Sequence, residues 1–149
     1  MTTTSGTAMV DRLRDATNAH DLEALVDCFT ESYSNETPVH PARGFTGRGQ
    51  VRTNWQQIFR AVPDVSATVL RSATNGDEIW SEWEMRGTRP DGSPHHMSGV
   101  IIFGVTEGRA DWARFYLEPV DQGGEGATAA VRHIVGASDP ASDHAQGQQ

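Results

Sequence analysis

The chain has 149 residues, a formal net charge of −8 and a single cysteine, Cys28. That length suffices for one domain with an apolar core of its own, and a lone cysteine excludes an internal disulfide and any cysteine-cluster metal site. All 12 basic residues are arginine, which excludes Schiff-base catalysis and lysine-anchored pyridoxal phosphate, while the acidic balance argues against nucleic acid or an anionic membrane as partner and for small molecules or proteins.

In chain order, residues 1–6 read as a flexible lead-in. The start "MTTTSGTAMV" has no basic residue and no long apolar stretch, and no apolar run of eighteen residues occurs anywhere. This predicts neither a secretory leader nor a membrane span, and a cytoplasmic location. From Thr7, Met9, Leu13, Ala16 and His20 recur at helical spacing, and Leu22, Leu25, Val26 and Phe29 form a second set. Asp21 between them has the short oxygen-bearing side chain of an N-cap, so two short helices are predicted. Cys28 is then a core residue of the second helix, with no basic neighbour at helical spacing to make it a nucleophile.

"SYSNETPV" (Ser32 to Val39) reads as a short strand ended by Pro38, and "HPARGFTGRG" as loop. Val51, Trp55, Ile58, Phe59 and Val62 make the stripe of a third helix, which Pro63 ends. The period then changes to two. "VSATVLRSAT" leads into the hairpin signal Asn75-Gly76, "EIWSEWEMRGT" into "RPDGSP", and "HHMSGVIIFGV" into Glu107-Gly108; "GRADWARFYLEPVD" completes an antiparallel meander. Beyond Val120 the composition shifts to Gly, Ala, Ser, Asp and Gln, a tail over residues 121–149 in which "ATAAVRHIV" is at most a short helical turn. Residues 7–120 thus form one α+β domain, three helices covering one face of a curved sheet.

This order of elements resembles the nuclear transport factor 2-like superfamily, the cone-shaped fold of SnoaL-like polyketide cyclases, ketosteroid isomerases and limonene epoxide hydrolases. The resemblance is carried by "RLRDATNAHDLEALVDCFTESYSNETP", by "GRGQV" at the start of the third helix, by "NGDEIWSEWEMRGT" and by "EGRADWARFYLE". It implies a curved antiparallel sheet with the three N-terminal helices on its concave face, a pocket between them, and an outer face that packs against a second subunit. Ile79, Ser81, Trp83 and Met85 would then face inward opposite Ala113 and Phe115. Trp80, Glu82, Glu84, Arg86, Trp112, Arg114 and Tyr116 would face outward, either as a homodimer surface or as a solvated face with ion pairs such as Arg114 with Glu82 or Glu84.

The residues that carry isomerase chemistry in that superfamily align with Leu13, Thr37 and Ile101 here, and those of the epoxide hydrolases with Trp83, Met85 and Phe115. None of these can act as base or acid, which excludes the ketosteroid isomerase activity and argues against the epoxide hydrolase one. What remains is an apolar pocket walled by Trp55, Phe59, Trp83, Met85, Ile101, Phe103 and Phe115, with a few convergent polar groups. Tyr33, Asn35 and Thr37 point inward by parity, joined by Ser81 and, nearer the mouth, by Asp111 and His95. Tyr33, Asn35, Asp111 and the loop residue His40 are the catalytic candidates, and a β-bulge in the last strand would exchange Asp111 and Phe115 for Trp112 and Arg114. His95 and His96 are adjacent on a strand and point to opposite faces, so no metal site is expected, nor any cofactor. Two readings follow: a cofactor-independent cyclase, isomerase or dehydratase acting on a hydrophobic cyclic or polyketide-like molecule, or a non-catalytic dimeric binding or assembly protein.

Overall fold

The computed structural model describes the backbone of residues 2–137 and the side chains of residues 7–137. In chain order the elements are α1 (Thr2–Ala19), α2 (Leu22–Asp27), β1 (Phe29–Glu36), a 3-10 turn (Pro41–Arg43), β2 (Phe45–Thr46), α3 (Arg48–Ala61), β3 (Ser66–Asn75), β4 (Glu78–Thr88), β5 (Pro94–Thr106), β6 (Arg109–Pro119) and α4 (Ala127–Val135). One six-stranded sheet runs in the order β2-β1-β6-β5-β4-β3. Every ladder is antiparallel except β1 against β6, which is parallel.

α1 begins at Thr2, within the segment expected as a flexible lead-in. It lays Met9, Leu13 and Ala16 into the core. At its end Asn18 imitates a strand: its Nδ2 donates to the Ala67 carbonyl at 3.0 Å and its Oδ1 accepts from the Ala67 N–H at 2.7 Å. Two bonds from one amide fix α1 against β3. Asp21 caps α2 by accepting from the Ala24 N–H at 3.1 Å.

Phe29 departs from the helical expectation. α2 closes at Cys28, whose carbonyl accepts from the Ala110 N–H at 2.7 Å, and this bond draws the next residue into the sheet as the first of β1. Spacing from Leu25 and Val26 fitted a helix, but tertiary hydrogen bonding decided the outcome. Cys28 itself is buried, and burial raises its thiol pKa. The expected loop after β1 contains both the 3-10 turn and β2, which pairs Phe45 with Asn35. The expected helical turn in the tail is the nine-residue α4, and residues 138–149 of that tail lie outside the described residues. Among the described residues no helix is long and apolar enough to cross a membrane.

Three irregularities curve the sheet. Leu70 is an extra residue between Val69 and Arg71, Asp111 is an extra residue between Ala110 and Trp112, and Gly99 has φ +150°. A Cβ on Gly99 would stand 2.0 Å from the Tyr116 carbonyl oxygen, so only glycine lets β5 and β6 come this close. Bulges and glycine kinks are the means by which a sheet bends.

Alternation along β4 is as the sequence predicts: Ile79, Ser81, Trp83 and Met85 are buried, and Trp80 and Arg86 are exposed. On the outer face Trp112 lies against Gly104, where a Cβ would meet the indole at 1.9 Å. The ion pairs there differ from expectation. Arg114 pairs with Glu36 at 3.2 Å, Glu82 with Arg71 at 2.8 Å, and Glu84 with His96 at 3.3 Å. The reason is strand order: β5 separates β6 from β4, while the parallel ladder sets Glu36 directly opposite Arg114.

Gly99→Ala is expected to lower unfolding stability by about 2–4 kcal/mol, from a strained φ and the collision with Tyr116 together. A urea unfolding midpoint equal to that of the parent chain would show that the β5–β6 approach does not require glycine.

Candidate functional site

A cavity of about 360 Å³ lies between α3, the loop after β1 and one half of the inner sheet face. α3 contributes Val51, Asn54, Trp55 and Ile58, which the i, i+3, i+4, i+7 spacing puts on one face. β1 and the residue after its end contribute Tyr33, Asn35 and Thr37 by period-two alternation. The long strands add Met85, His95, Met97, Phe115 and Leu117, and the loop adds Arg43 and Phe45. Most of this wall is apolar. Among the described residues, no aspartate or glutamate lines it.

Tyr33 and Asn35 form the polar floor. The Tyr33 hydroxyl donates to Asn35 Oδ1 at 2.7 Å, and both residues are buried. Burial pushes the Tyr33 phenol well above its ordinary value, so it stays a neutral donor. With its oxygen engaged, Asn35 presents its Nδ2, which has no acceptor among the described residues and is not sealed from the cavity. Asn54 is set the same way, since Gln50 Nε2 donates to its Oδ1 at 2.7 Å. His95 is the imidazole on the wall; burial first, then the charge of Arg89, lowers its pKa, so it is neutral at neutral pH.

Asp111 is not on the cavity wall. It is the bulge residue of β6, so Ala110 and Ala113 point inward on either side of it, and its carboxylate accepts from the Thr30 hydroxyl at 3.0 Å. His40 is not on the wall either: its Nε2 stands 3.0 Å from Glu118 Oε1, an ion-pair distance without hydrogen-bond alignment. The bulge lies before Ala113, so Phe115, two residues further on, keeps its inward place.

Of the expected wall residues, Trp55, Met85 and Phe115 line the cavity, whereas Phe59, Ser81, Trp83, Ile101 and Phe103 do not. α1 covers the half of the sheet that holds Trp83, Ile101 and Phe103 and packs it as solid core. There the Trp83 indole donates to Ser81 Oγ at 2.8 Å and Ser81 donates to the Ile101 carbonyl at 2.8 Å, a closed chain that leaves Ser81 nothing to offer a ligand. Phe59 turns toward His20, ring centroids 5.0 Å apart. Sequence reasoning passed over Asn54 and Arg43. Asn54 carried a signal, its place on the α3 stripe. Arg43 carried none, because a loop arginine reads as solvated surface. Among the described residues, no cluster of three or more His, Cys, Asp or Glu side chains could hold a metal ion.

A curved open α+β sheet with helices on one face and a cavity beneath them is the ketosteroid isomerase-like, or nuclear transport factor 2-like, fold. The chain belongs to the SnoaL-like domain family, whose profile matches residues 10–113. Solved structures agree on the fold. IdmH of Streptomyces antibioticus, a candidate polyketide cyclase, has 23% identity over 75% of this chain and 91% of its own, with a TM-score of 0.66. A Mycobacterium tuberculosis protein in complex with estradiol-17β-hemisuccinate has 17% identity over 75% and 92%, TM-score 0.65. A limonene epoxide hydrolase-like enzyme of the same organism has 15% identity over 77% and 84%, TM-score 0.67. Comparison with curated proteins finds no match. At these identities the likeness carries the fold and not the activity.

Because Tyr33 is shielded, its phenol is expected to stay protonated through pH 11, read by phenolate absorbance in the Tyr116→Phe variant, in which Tyr33 is the sole tyrosine. Absorbance rising with a midpoint near the ordinary value of 10.0 would show that the floor is open to water.

Proposed function

We propose that the cavity binds a hydrophobic cyclic or polyketide-like molecule, and that the protein is a cofactor-independent enzyme of the isomerase, cyclase or dehydratase type. The observation that supports this best is the combination on one apolar wall of an oriented amide donor, Asn35, with a neutral imidazole, His95. Together they suit proton abstraction next to a carbonyl. Asn35 Nδ2 would hold the carbonyl oxygen as it gains negative charge, and His95 would take the proton from the adjacent carbon. The resulting enolate can be reprotonated elsewhere, attack a second carbonyl or expel a β-leaving group, which are the isomerase, cyclase and dehydratase outcomes. The carbonyl accepts the electron pair itself, so no cofactor is needed.

The test uses 2-tetralone, an apolar bicyclic ketone, in D₂O, with deuterium uptake at its α-carbons followed by NMR. The protein should accelerate uptake, and His95→Gln should slow the catalysed rate about 10²-fold while binding persists. The acidic limb of the rate should fall below pH 6.5, the ordinary imidazole value, since burial lowers the pKa of His95 and its basic form persists to lower pH. Ketone that binds without accelerated uptake would favour the second reading, a binding protein without catalysis. The wall supplies support for that reading too, because among the described residues it holds no carboxylate base.

A second copy of the chain is proposed as the partner of the outer sheet face. Trp80 is 48% exposed and Tyr116 37%, large aromatics beside charges of both signs on Arg114, Glu82 and Glu84. A two-fold axis would set arginines against carboxylates and cover the rings. Trp112 already packs on Gly104. Sedimentation should give a dimer at micromolar concentration and a monomer for Trp80→Glu; a monomeric parent chain would leave this face solvated.

A further inference from the structure

Although the chain has 20 acidic residues against 12 basic ones, the cavity wall formed by the described residues holds no carboxylate and one permanent charge, Arg43. Arg43 is exposed where it borders the cavity, and its side chain makes no ion pair or hydrogen bond with any described residue. Its backbone is held firmly. The Arg43 N–H donates to the His40 carbonyl at 2.9 Å, the His40 N–H donates to the Thr37 carbonyl at 2.8 Å, and the His40 ring meets Glu118. Gly44, next in the chain, is tucked against β1, where a Cβ would stand 3.1 Å from the Asn35 carbonyl oxygen. Glu118 faces His40 on this turn, and among the described residues no carboxylate pairs with Arg43.

The neutral polar groups point to the same ligand chemistry. Both amides on the wall have their oxygens occupied, Asn35 Oδ1 by Tyr33 and Asn54 Oδ1 by Gln50, so each offers N–H donors. A wall rich in free donors, with a cation and no anion, is matched by a ligand rich in acceptors and negatively charged.

We propose that the cavity selects apolar molecules that carry a carboxylate, with the ring system against Trp55, Met85 and Phe115 and the carboxylate at Arg43. This rests on the reading of the cavity as a small-molecule site and narrows it to organic acids. Arg43 acts here as a specificity determinant and takes no part in proton transfer.

The experiment is calorimetric titration with matched pairs of aromatic acids and their primary amides, built on one, two and three fused rings. Each pair has nearly the same shape and differs in charge. The parent chain should bind the acid of the best-fitting pair about tenfold tighter than its amide, and that advantage should shrink as salt is raised. In Arg43→Gln the acid should fall to the level of the amide, while the amide binds as before; Arg43 has no structural bond whose loss could unfold the chain. Acid and amide binding alike in the parent chain, or losing affinity equally in Arg43→Gln, would overturn the preference for acids and leave the cavity as a binding site for neutral molecules. Binding by no member of any pair would overturn the small-molecule reading and the acid preference with it.

Discussion

The close approach of β5 to β6 at Gly99 is the constraint on which the rest of the molecule depends. β5 is 13 residues long and β6 is 11, and strands of that length cannot stay flat while helices pack on one face. Glycine at the crossing, with the extra residues Asp111 in β6 and Leu70 in the edge strand β3, lets the sheet curl. The curl divides the inner face into two parts with different work. One part, around Ile79, Trp83, Ile101 and Phe103, is filled by α1 and supplies the core. The other, around Met85, His95 and Phe115, is lifted away from α1 and faces α3 across open space. Core and cavity are therefore two ends of one bent surface.

Polar groups are sorted by the same division. Those in the core satisfy one another in closed chains, as Trp83, Ser81 and the Ile101 carbonyl do, which removes the cost of burying them. Those at the cavity satisfy one another incompletely. Tyr33 spends its proton on Asn35, and the amide is left with donors to give. Charges are sent outward, where neighbouring strands pair them: Arg114 with Glu36, Arg71 with Glu82, His96 with Glu84. A chain of net charge −8 thereby builds a cavity with no carboxylate from the described residues on its wall.

Much of this was legible in the sequence, and the illegible parts have physical causes. Period two along "EIWSEWEMRGT" gave the correct faces because β4 pairs with β5 without interruption over 11 residues. The inward set Tyr33, Asn35 and Thr37 was found by the same rule. Asp111 was misplaced because one extra residue reverses parity, and a bulge leaves no mark in composition. Phe29 was misread because helical spacing and strand alternation agree over short apolar runs, and a bond from distant Ala110 decided between them. Ser81, Trp83 and Ile101 were assigned to the right face but to the wrong half of it. Parity tells which side of a sheet a residue takes, and not which part of that side a helix covers.

The two sources of polar groups in the cavity differ in how freely they can vary. Tyr33 and Asn35 stand on β1, a strand held by β2 on one edge and β6 on the other, so their positions are fixed by main-chain ladders. Replacing either would leave a buried polar atom without its partner and disturb the sheet beneath. Arg43 stands on a turn whose His40 faces Glu118 of β6 and whose Gly44 backbone lies against β1, and its side chain makes no hydrogen bond or ion pair with a described residue. Substitution there leaves the core and the floor untouched. A fold so divided keeps its floor polar groups rigid on the sheet and lets a loop residue at the cavity vary, which gives a physical reason why a single architecture accommodates unrelated activities.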